Sequence, residues 1–570
     1  MRFTLGKLVA TPGAIRLMAR LDKLIPVKEV AQIGAAIGRE FSQQLMAALS
    51  PMDEVELNTA LDRLVASQLV YRRGSPPKAT YIFKHALIQD AAYGSVLKRD
   101  RQNLHKQIAE TLLVILPATA DHEPELLAHH FTEGGLHKQA ILYWKRAGHR
   151  AIERSAHAEA ISHLTKGLEV IETMPDTRER TLQELDLQTI LGSALLATKG
   201  YAGPEVERVY ARAHEIGQQI GETPQLVPVL QGLCLFHLNR GELEMARALG
   251  EQLLKLTQNV QDPNLHLTAH AALGTTLFWV GEFVLSREHL EQSIALYDRR
   301  QRRVLHLDSG HDTGTMCRFY RAYVLWFLGY PNQALQQSHE AGLLAQELAH
   351  PFSLAYALGS TSAVHQWRRE AQAAQEQAEA ALVLAREQAF PYWLNIGTIR
   401  RGWALAMQGQ IEEGIQQLRQ GWAQLLVTGT YLSGPWVLAQ IAEALGKAGE
   451  VEEALTVVAD ALATVGTTSN HFYEAELYRL KGELLLRQEA HWISTTEAEI
   501  CFQQSITIAR DQQAKSWELR AATSLGRLWQ SQDKHQDAYD LLAPVYNWFT
   551  EGFDTADLQE AKSLLDVLSS

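Results

Sequence analysis

The stretch from Gly274 to Ser286 reads GTTLFWVGEFVLS, and its arrangement of small residues recurs along the chain. Gly281 lies near its middle, with the small residue Gly274 seven positions before it and the small residue Ser286 five positions after it. Two antiparallel helices approach closely only where their side chains are small, and the turn between them favours glycine, which adopts positive φ readily. The stretch therefore predicts a helical hairpin with its turn at Gly281.

The same spacing of three small or turn-forming residues occurs at seven further places. The turn positions 241 and 281 lie 40 residues apart, as do 409 and 449, whereas 329 and 409 are separated by 80, which leaves room for two units. We expect the intervening unit, around Gly359 and Ala371, to lack the turn glycine. The seven sets are Cys234-Gly241-Ala246, Ala322-Gly329-Ala334, Gly402-Gly409-Gly414, Ala442-Gly449-Ala454, Ala128-Gly135-Ala140, Gly148-Ser155-Ala160 and Gly526-Asp533-Ala538.

This pattern of small residue, turn and small residue resembles the tetratricopeptide repeat, whose usual unit is about 34 residues. The period here is about 40 residues, so helices or loops between units are longer. The resemblance covers roughly residues 125–570. It implies that the glycines and alanines are packing residues, and that binding uses the concave face built from the first helix of each pair. We interpret the numerous tryptophans as packing between helices.

Residues 27–110 depart from the period. Ser50-Pro51-Met52-Asp53 predicts a helix start with Ser50 as its cap. Residues 69–73 and 80–83, rich in β-formers and separated by a Gly-Ser-Pro-Pro turn, predict a β-hairpin. A long helix is expected to begin near Lys84 and His85. This order predicts a winged-helix-like adaptor over residues 27–110.

The domain prediction is therefore an N-terminal helix remnant or linker at 1–26, the adaptor with its long following helix at 27–110, and a repeat solenoid at 111–570. The fold class is all-α: a tetratricopeptide-like helical-hairpin solenoid, or α-α superhelix, preceded by a small winged-helix-like domain with a short β-hairpin.

Several N-terminal stretches resemble a known family. They are RLD at 20–22, IGAAIGREF at 33–41, YIFKHALIQDAAY at 81–93, Arg101, and LH at 104–105. They resemble the segment that joins the ATPase to the repeats in bacterial signalling ATPases of the AAA/STAND type, often fused to class III adenylate or guanylate cyclase domains. The phosphate-binding loop G-x-x-x-x-G-K-[ST] of those ATPases is absent here, as is the cyclase domain.

The chain therefore resembles only the regulatory half of such a protein and begins about where the ATPase would end. A stand-alone gene, a truncated gene and a misplaced start remain open alternatives. The resemblance implies that His85 contacts the phosphate of a bound nucleotide if an ATPase domain is present in trans. In this chain alone we expect His85 to cap or pack, and we predict no cofactor.

Composition argues against several functions. The net charge is −12, from 53 basic and 65 acidic residues, which disfavours a general nucleic-acid or anionic-membrane binder. The predicted recognition helix, about 53–67, carries four acidic residues and a single basic one, Arg63, so it would repel the phosphates of DNA. Arg72, Arg73 and Lys78 on the wing are weak support for DNA binding, and a domain–domain adaptor is favoured.

No catalytic or metal-binding pattern stands out. His266 and His270 are four residues apart, yet no third ligand is evident, and the adjacent His129 and His130 are expected to diverge on a helix. The sparse cysteines Cys234, Cys317 and Cys501 and the lack of a long apolar run or signal peptide predict a cytoplasmic protein.

Two functions are compared. The first is a non-enzymatic, protein-binding regulatory scaffold of a bacterial signalling protein, holding a protein or peptide on the concave face. The alternative is the regulatory half of a nucleotide-operated ATPase or cyclase switch whose catalytic domain lies upstream or acts in trans. Small-ligand sensing within the solenoid is a third possibility without residues to support it.

Overall fold

The computed structural model of the chain describes residues 27–221, 223–297, 312–488 and 492–569. These residues form 28 α-helices and one small three-stranded sheet, which confirms the predicted all-α solenoid class. Their contacts divide the chain into two compact units, Met1–Arg150 with Ser162–Leu187, and Ala151–Ile161 with Gln188–Ser570. The predicted helix remnant or linker at 1–26 lies outside the described residues.

The N-terminal part alternates helices with three short antiparallel strands. The predicted hairpin is present, with Val70 opposite Phe83, and a further strand pairs on the other side, with Glu40 opposite Ile82. Alternate strand residues such as Tyr81 and Phe83 are buried against the helices. In chain order the elements are α1 (Val27–Ile37), β1 (Glu40–Ser42), α2 (Gln43–Leu49), α3 (Glu54–Ala66), β2 (Val70–Arg73), β3 (Thr80–Phe83) and α4 (Ala86–Gly94).

Helix α3 begins later than the sequence predicts. Its N-cap is Asp53, whose Oδ1 accepts a hydrogen bond from the backbone N–H of Glu56 over 2.9 Å. The predicted cap, Ser50, instead ends α2, because its own N–H still donates to the carbonyl of Met46. The prediction of a start at Ser50 was therefore wrong, and Asp53 places a carboxylate at the positive end of the helix.

The long helix expected after the hairpin is two helices, α4 and α5 (Lys98–Ile115). Between them the hydroxyl of Ser95 donates to the carbonyl of Ala92 over 2.6 Å and accepts from Gln32 Nε2 over 2.8 Å. A serine side chain that bonds its own backbone competes with the helical hydrogen bonds and favours a break.

Antiparallel helices make up the rest of the described chain. A 3-10 turn at Pro224–Leu226 directly precedes the helix that begins at Val227. The helices are α6 (Thr119–His122), α7 (Pro124–Glu133), α8 (His137–Glu153), α9 (His157–Glu172), α10 (Arg178–Lys199), α11 (Pro204–Ile220), α12 (Val227–Asn239), α13 (Leu243–Thr257), α14 (Pro263–Val280), α15 (Phe283–Leu296), α16 (Thr313–Phe327), α17 (Pro331–Leu348), α18 (Pro351–Trp367), α19 (Ala371–Glu387), α20 (Pro391–Met407), α21 (Ile411–Val427), α22 (Gly434–Ala448), α23 (Val451–Thr468), α24 (Glu474–Leu485), α25 (Trp492–Asp511), α26 (Lys515–Ser531), α27 (His535–Trp548) and α28 (Ala556–Leu568).

The predicted turns are correct in all eight sets. Each turn residue follows a helix and has a positive φ, which is what a short helix-to-helix turn requires. Two of them are not glycine, and serine and aspartate fill the same role there. The φ values are 72° at Gly135, 57° at Ser155, 77° at Gly241, 92° at Gly281, 92° at Gly329, 93° at Gly409, 86° at Gly449 and 60° at Asp533.

In several sets the small residues lie at the crossing point of the paired helices, as predicted, but a Cβ added to Gly526 would meet only Leu564 and not Ala538. A Cβ added to Gly402 would lie 2.8 Å from the carbonyl oxygen of Gly414, and one added to Gly414 would lie 2.6 Å from that of Gly402. In the hairpin that opens the sequence argument, the hydroxyl of Ser286 donates to the carbonyl of Gly274 over 2.6 Å. The two helices therefore approach closely at Gly402 and Gly414 and at Gly274 and Ser286.

The unit without a turn glycine differs from the prediction in its register. Its turn residue is Arg369, with φ 64°, and its crossing residues are Ser362 and Ala374, whose hydroxyl and carbonyl are hydrogen bonded over 2.8 Å. Gly359 and Ala371, the predicted positions, lie three residues too early. An arginine thus occupies a left-handed position that glycine fills in the neighbouring units.

The first helices of successive hairpins contact one another from α12 to α26, so they form the inner layer of the array. The array also contacts itself five hairpins later. Ser516 at the start of α26 donates its hydroxyl hydrogen bond to the carbonyl of Trp326 in α16, and the backbone N–H of Asn332 donates to Glu551 over 2.9 Å. Residues about 200 positions apart are thereby brought together.

Candidate functional site

A pocket of about 440 Å³ opens where α18, α20, α22, α24, α26 and α28 converge, and we call it the charged pocket. Five of these six are first helices of their hairpins. Within α24, the positions 476, 479 and 483 share one face because residues three and four apart align on a helix. The ionisable lining residues are the acids Glu443, Glu476, Glu483, Asp557 and Glu560 and the bases Arg369, Lys447, Arg479, Arg487, Arg520 and Arg527.

Glu476 is the most deeply buried carboxylate of the pocket, with 5% of the residue exposed. Its two oxygens accept from Nε and Nη2 of Arg479, both over 2.8 Å, and Nη1 of Arg520 lies 3.6 Å away. Burial by itself raises the pKa of Glu476, but the two arginines outweigh it and hold the pKa below its ordinary value. Glu476 is therefore ionised at neutral pH and forms the centre of the network.

Arg520 links this centre to α28 and to the aromatic wall. Its Nε donates to Asp557 over 2.8 Å and its Nη2 donates to the backbone carbonyl of Trp367 over 2.5 Å. The guanidinium also lies 5.2 Å from the ring of Trp326 and 5.0 Å from that of Trp517, within the range of cation–π attraction. Arg520 thus contacts residues of four other helices, α16, α18, α24 and α28.

Arg369 brings the left-handed turn into the pocket. Its Nη1 lies 2.7 Å from Glu560 and 3.4 Å from Asp557, and Glu560 also accepts from Arg527 over 2.9 Å. Burial raises the pKa of Glu560, yet the two arginines lower it overall. A non-glycine residue in the left-handed region costs about 1 kcal/mol, and such strain is typical of functional positions.

Most of the tryptophans predicted to pack between helices are buried, although Trp422 is only half-buried and Trp548 is exposed, and several of the buried ones lie beneath the pocket. Trp367 lines the pocket and stacks on Trp326 at 5.7 Å and on Trp436 at 5.0 Å between ring centroids. Trp517 meets Trp326 edge-on at 4.8 Å. These rigid, close-packed rings hold the charged side chains above them in place.

Paired charged side chains dominate the lining of the charged pocket. The hydroxyl of Ser524 donates to Glu483 over 2.6 Å, but no histidine or cysteine is among the lining residues. Six bases and five acids nearly cancel, so a ligand with both charges is favoured over a polyanion or a polycation. Arginine forks bind carboxylates and carbonyls, and the acids accept from ammonium and amide groups.

His85 occupies the N-cap position of α4. Its backbone carbonyl accepts a hydrogen bond from the N–H of Ile88, while its side chain is exposed and makes no capping hydrogen bond. His85 therefore lies at a cap position, as expected for the chain alone, but its side chain does not form the capping hydrogen bond.

The histidines considered as metal ligands bond to the protein instead. His266 Nε2 lies 2.8 Å from the carbonyl oxygen of Val260, and His270 Nδ1 lies 2.8 Å from Nδ1 of His289. Within the described ranges, no three His, Cys, Asp or Glu side chains are close enough together to hold a metal ion. No helix in those ranges is both long and apolar enough to cross a membrane.

A buried histidine chain was missed. His105 Nδ1 lies 2.8 Å from Nδ1 of His130, and His105 Nε2 lies 2.9 Å from the hydroxyl of Tyr93. The ring of His129 also lies 5.7 Å from that of His105, but His129 is exposed while His130 is buried, so the two side chains diverge as predicted. Burial lowers the pKa of His105 to about 4 and that of His130 to about 3, so both rings are neutral near pH 7.

The charged pocket was also missed. On the first helices its residues lie three and four positions apart, as Arg520, Ser524 and Arg527 do. Residues at that spacing share one helix face, where an apolar stripe would be expected. That polar stripe is the signal that could have identified the face. The partners across the pocket could not be paired from the sequence.

A relative in sequence comes from a bacterium. An uncharacterised protein of Rhizobium meliloti (strain 1021) is 24% identical over 516 residues, which are 90% of this chain and 50% of the relative. The chain therefore spans about half the length of the curated relative it matches. No family model matches the chain.

Among solved structures, a Rap protein complexed with competence and sporulation factor is 12% identical, with a TM-score of 0.41, and the match covers 61% of this chain and 99% of that one. The apo quorum sensor NprR from B. thuringiensis is 13% identical, with a TM-score of 0.41, covering 65% and 99%. A signal transduction ATPase with numerous domains and a tetratricopeptide repeat sensor, from Pyrococcus horikoshii, is 10% identical, with a TM-score of 0.35, covering 89% and 68%. The assignment to helical repeats rests on the hairpin geometry of this chain itself.

Proposed function

We propose that the chain is a non-enzymatic regulatory scaffold that holds a segment of a partner protein in the charged pocket. The observation that carries this proposal is the network around Glu476 and Arg520, which is built from first helices and opens to solvent. A mixed-charge segment of a protein complements six bases and five acids in one pocket.

The turn at Arg369 supports the same proposal. The other turns of this kind show that glycine, serine or aspartate suffices to make the hairpin. Other non-glycine residues also adopt positive φ, so what distinguishes Arg369 is that its side chain extends into the pocket and pairs with Glu560 there.

The test compares cross-linked partners of the wild-type chain with those of Arg527→Glu in the native cells. Arg527 lies at the rim, with 49% of its side chain exposed, so its reversal should leave the fold intact. We expect one or more partners to be lost from the Arg527→Glu protein, since reversal places two acids side by side at Glu560.

The matched control is Arg419→Glu. Arg419 is paired with Glu453, its side chain is also 49% exposed, and it lies on the second helix α21 and not among the pocket residues. Partners should be retained by this variant. Identical partner sets for the wild type and Arg527→Glu would contradict the proposal.

We also propose that residues 27–110 act as a winged-helix-like adaptor and not as a DNA reader. The order of three helices and a hairpin, with β1 added to the sheet, supports the first part. The ion pair of Arg72 with Asp62, at 2.7 Å, argues against a DNA reader, because a cation of the wing is already paired with an acid of α3. DNA binding in low salt that Arg72→Ala weakens would contradict this adaptor role.

The alternative proposal is the regulatory half of a nucleotide-operated switch, in which His85 would contact the nucleotide. It is favoured by the family resemblance and by a relative twice as long as the matched region. Sequencing the DNA upstream of Met1 is the test. An in-frame phosphate-loop motif would support the switch, whereas a stop codon and ribosome-binding site directly before Met1 would support the scaffold.

A further inference from the structure

A second cavity, of about 70 Å³, lies among the inner-layer helices, and we call it the aromatic cavity. Its wall includes Tyr320, Tyr323, Tyr392, Trp393 and Trp436 together with one cation, Arg400. A single water needs roughly 10–15 Å³ of such space, so the cavity has room for a small molecule. The charged pocket has different ionisable lining residues.

Arg400 is unusual because it is buried without a counterion. The residue is 6% exposed, and no carboxylate within the described ranges forms an ion pair with it. Nη1 donates to Gln366 Oε1 over 2.8 Å, and the guanidinium carbon lies 3.6 Å from the ring centroid of Trp436. The stacking face and the Nη1 edge of the guanidinium are thus occupied, while Nε has no acceptor among the residues that the structure describes.

A buried cation without a carboxylate is unfavourable to folding, because desolvation is not offset by a nearby opposite charge. Burial lowers the pKa of Arg400 to about 10, so the group still carries its charge at neutral pH. A residue that weakens folding in this way is a candidate for binding an anion.

The other unused polar groups of the wall are donors too. The indole N–H groups of Trp393 and Trp436 are buried and have no acceptor in the described chain. The indole N–H of Trp279, by contrast, is already bonded to the hydroxyl of Tyr320 over 2.9 Å. The wall therefore supplies a positive charge and spare donors around aromatic surface.

We propose that the aromatic cavity binds a small organic carboxylate, with the carboxylate on Arg400 and a compact apolar or aryl body against the tyrosines and tryptophans. The carboxylate supplies the missing counterion and accepts from the Nε edge in the fork geometry that arginine favours. The body replaces water at the aromatic wall, which adds hydrophobic stabilisation. This site goes beyond the proposed protein-binding function.

The test is isothermal titration calorimetry of the full chain with acetate, isobutyrate, benzoate and phenylacetate, each compared with its uncharged amide at the same ionic strength. At least one carboxylate should bind at least about tenfold more tightly than its amide, the usual effect of a charge-assisted hydrogen bond. If none of the four acids is preferred over its amide, the proposal is overturned.

Two variants locate the site. Arg400→Gln should weaken binding of the preferred acid by at least about tenfold. Gln366→Glu keeps the shape of the side chain and places an internal carboxylate beside Nη1, so it should weaken binding similarly even if Arg400→Gln does not fold. Arg419→Gln, on the second helix α21, is the control and should bind as the wild type does. Unchanged affinity in Gln366→Glu would overturn the assignment.

Discussion

Glu476 is the residue at which the charged pocket is most sensitive to substitution. Glu476→Gln keeps the shape but leaves the buried Arg479 and Arg520 with one carboxylate fewer, and breaking a buried ion pair in this way costs about 3–5 kcal/mol. We expect a loss of that order in the free energy of unfolding measured with urea near neutral pH. Glu453→Gln, in the exposed pair with Arg419, is the control and should change it by less than about 1 kcal/mol.

The contribution of Glu476 also depends on pH with a definite sign. Because the folded-state pKa is below the ordinary value of 4.5, the unfolded chain binds the proton more readily. The stabilisation is therefore complete above that value and is lost as the pH falls through the folded pKa. A wild-type stability that does not decrease in this acidic range relative to Glu476→Gln would contradict the network described.

The chain of His105 and His130 makes a second prediction at the residue scale. Their folded pKa values, about 4 and about 3, are depressed below 6.5, so stability is complete above 6.5 and decreases as the pH falls toward 4. The groups that face them are His129, Arg101 and the hydroxyl of Tyr93. The measurement is hydrogen-exchange protection in α5 and α7.

In His130→Phe the decrease in protection between neutral pH and about pH 5 should be smaller, because one of the two proton-binding rings is gone. His85→Phe, which replaces an exposed histidine, is the control and should keep the wild-type decrease. An equal pH dependence in wild type and His130→Phe would show that the chain does not titrate as described.

At the scale of the element, replacing glycines inside helices distinguishes the effect of helix packing on stability from the effect of helix propensity. Replacing a helical glycine by alanine usually stabilises by up to about 1 kcal/mol. In Gly414→Ala the new Cβ would lie 2.6 Å from the carbonyl oxygen of Gly402, and backbone cannot move aside easily. We expect Gly414→Ala to destabilise the chain by about 1–3 kcal/mol, the usual cost of overpacking.

Gly342→Ala in α17 is the matched control, because a Cβ there meets nothing within 4 Å. It should leave the thermal midpoint unchanged or raise it. If Gly414→Ala were as stable as Gly342→Ala, the close crossing of α20 and α21 would be disproved.

At the scale of the whole molecule, the contacts between hairpins five units apart distinguish this array from a simple solenoid. In a simple solenoid each repeat contacts only its neighbours. Here Gly552 lies against Pro331, and Arg369 pairs with Asp557 and Glu560 of α28. Removing residues 532–570 should therefore loosen α17 and α18 as well as the adjacent α26.

The measurement is hydrogen exchange of the truncated chain. Protection should fall in α17 and α18, about 200 residues from the cut, because contacts from α28 are lost. The helices α12 and α13 serve as an internal control and should keep their protection. Exchange that increases only next to the truncation would contradict the long-range contacts.

The sequence by itself determined the helical hairpins. Turn residues such as Gly281 and crossing residues such as Gly402 act within about a dozen positions, so local spacing is enough to predict them. The same locality explains the errors at Ser50 and around Gly359, because two possible caps or small residues lie a few positions apart. Which of the two caps is used depends on the carbonyls that the neighbouring helix leaves free. Which of the two small residues lies at the crossing depends on how the helix pair packs.

The candidate site was decided by the tertiary structure alone. Arg369 and Glu560 lie about 190 positions apart, and Arg400 is buried because helices from many hairpins close around it. Such contacts depend on the small rotation between successive hairpins, which accumulates over five units and is set by packing along the whole array. Local spacing predicts each hairpin but not that accumulated rotation, so the sequence predicts a binding repeat protein and only the folded array shows where its charges meet.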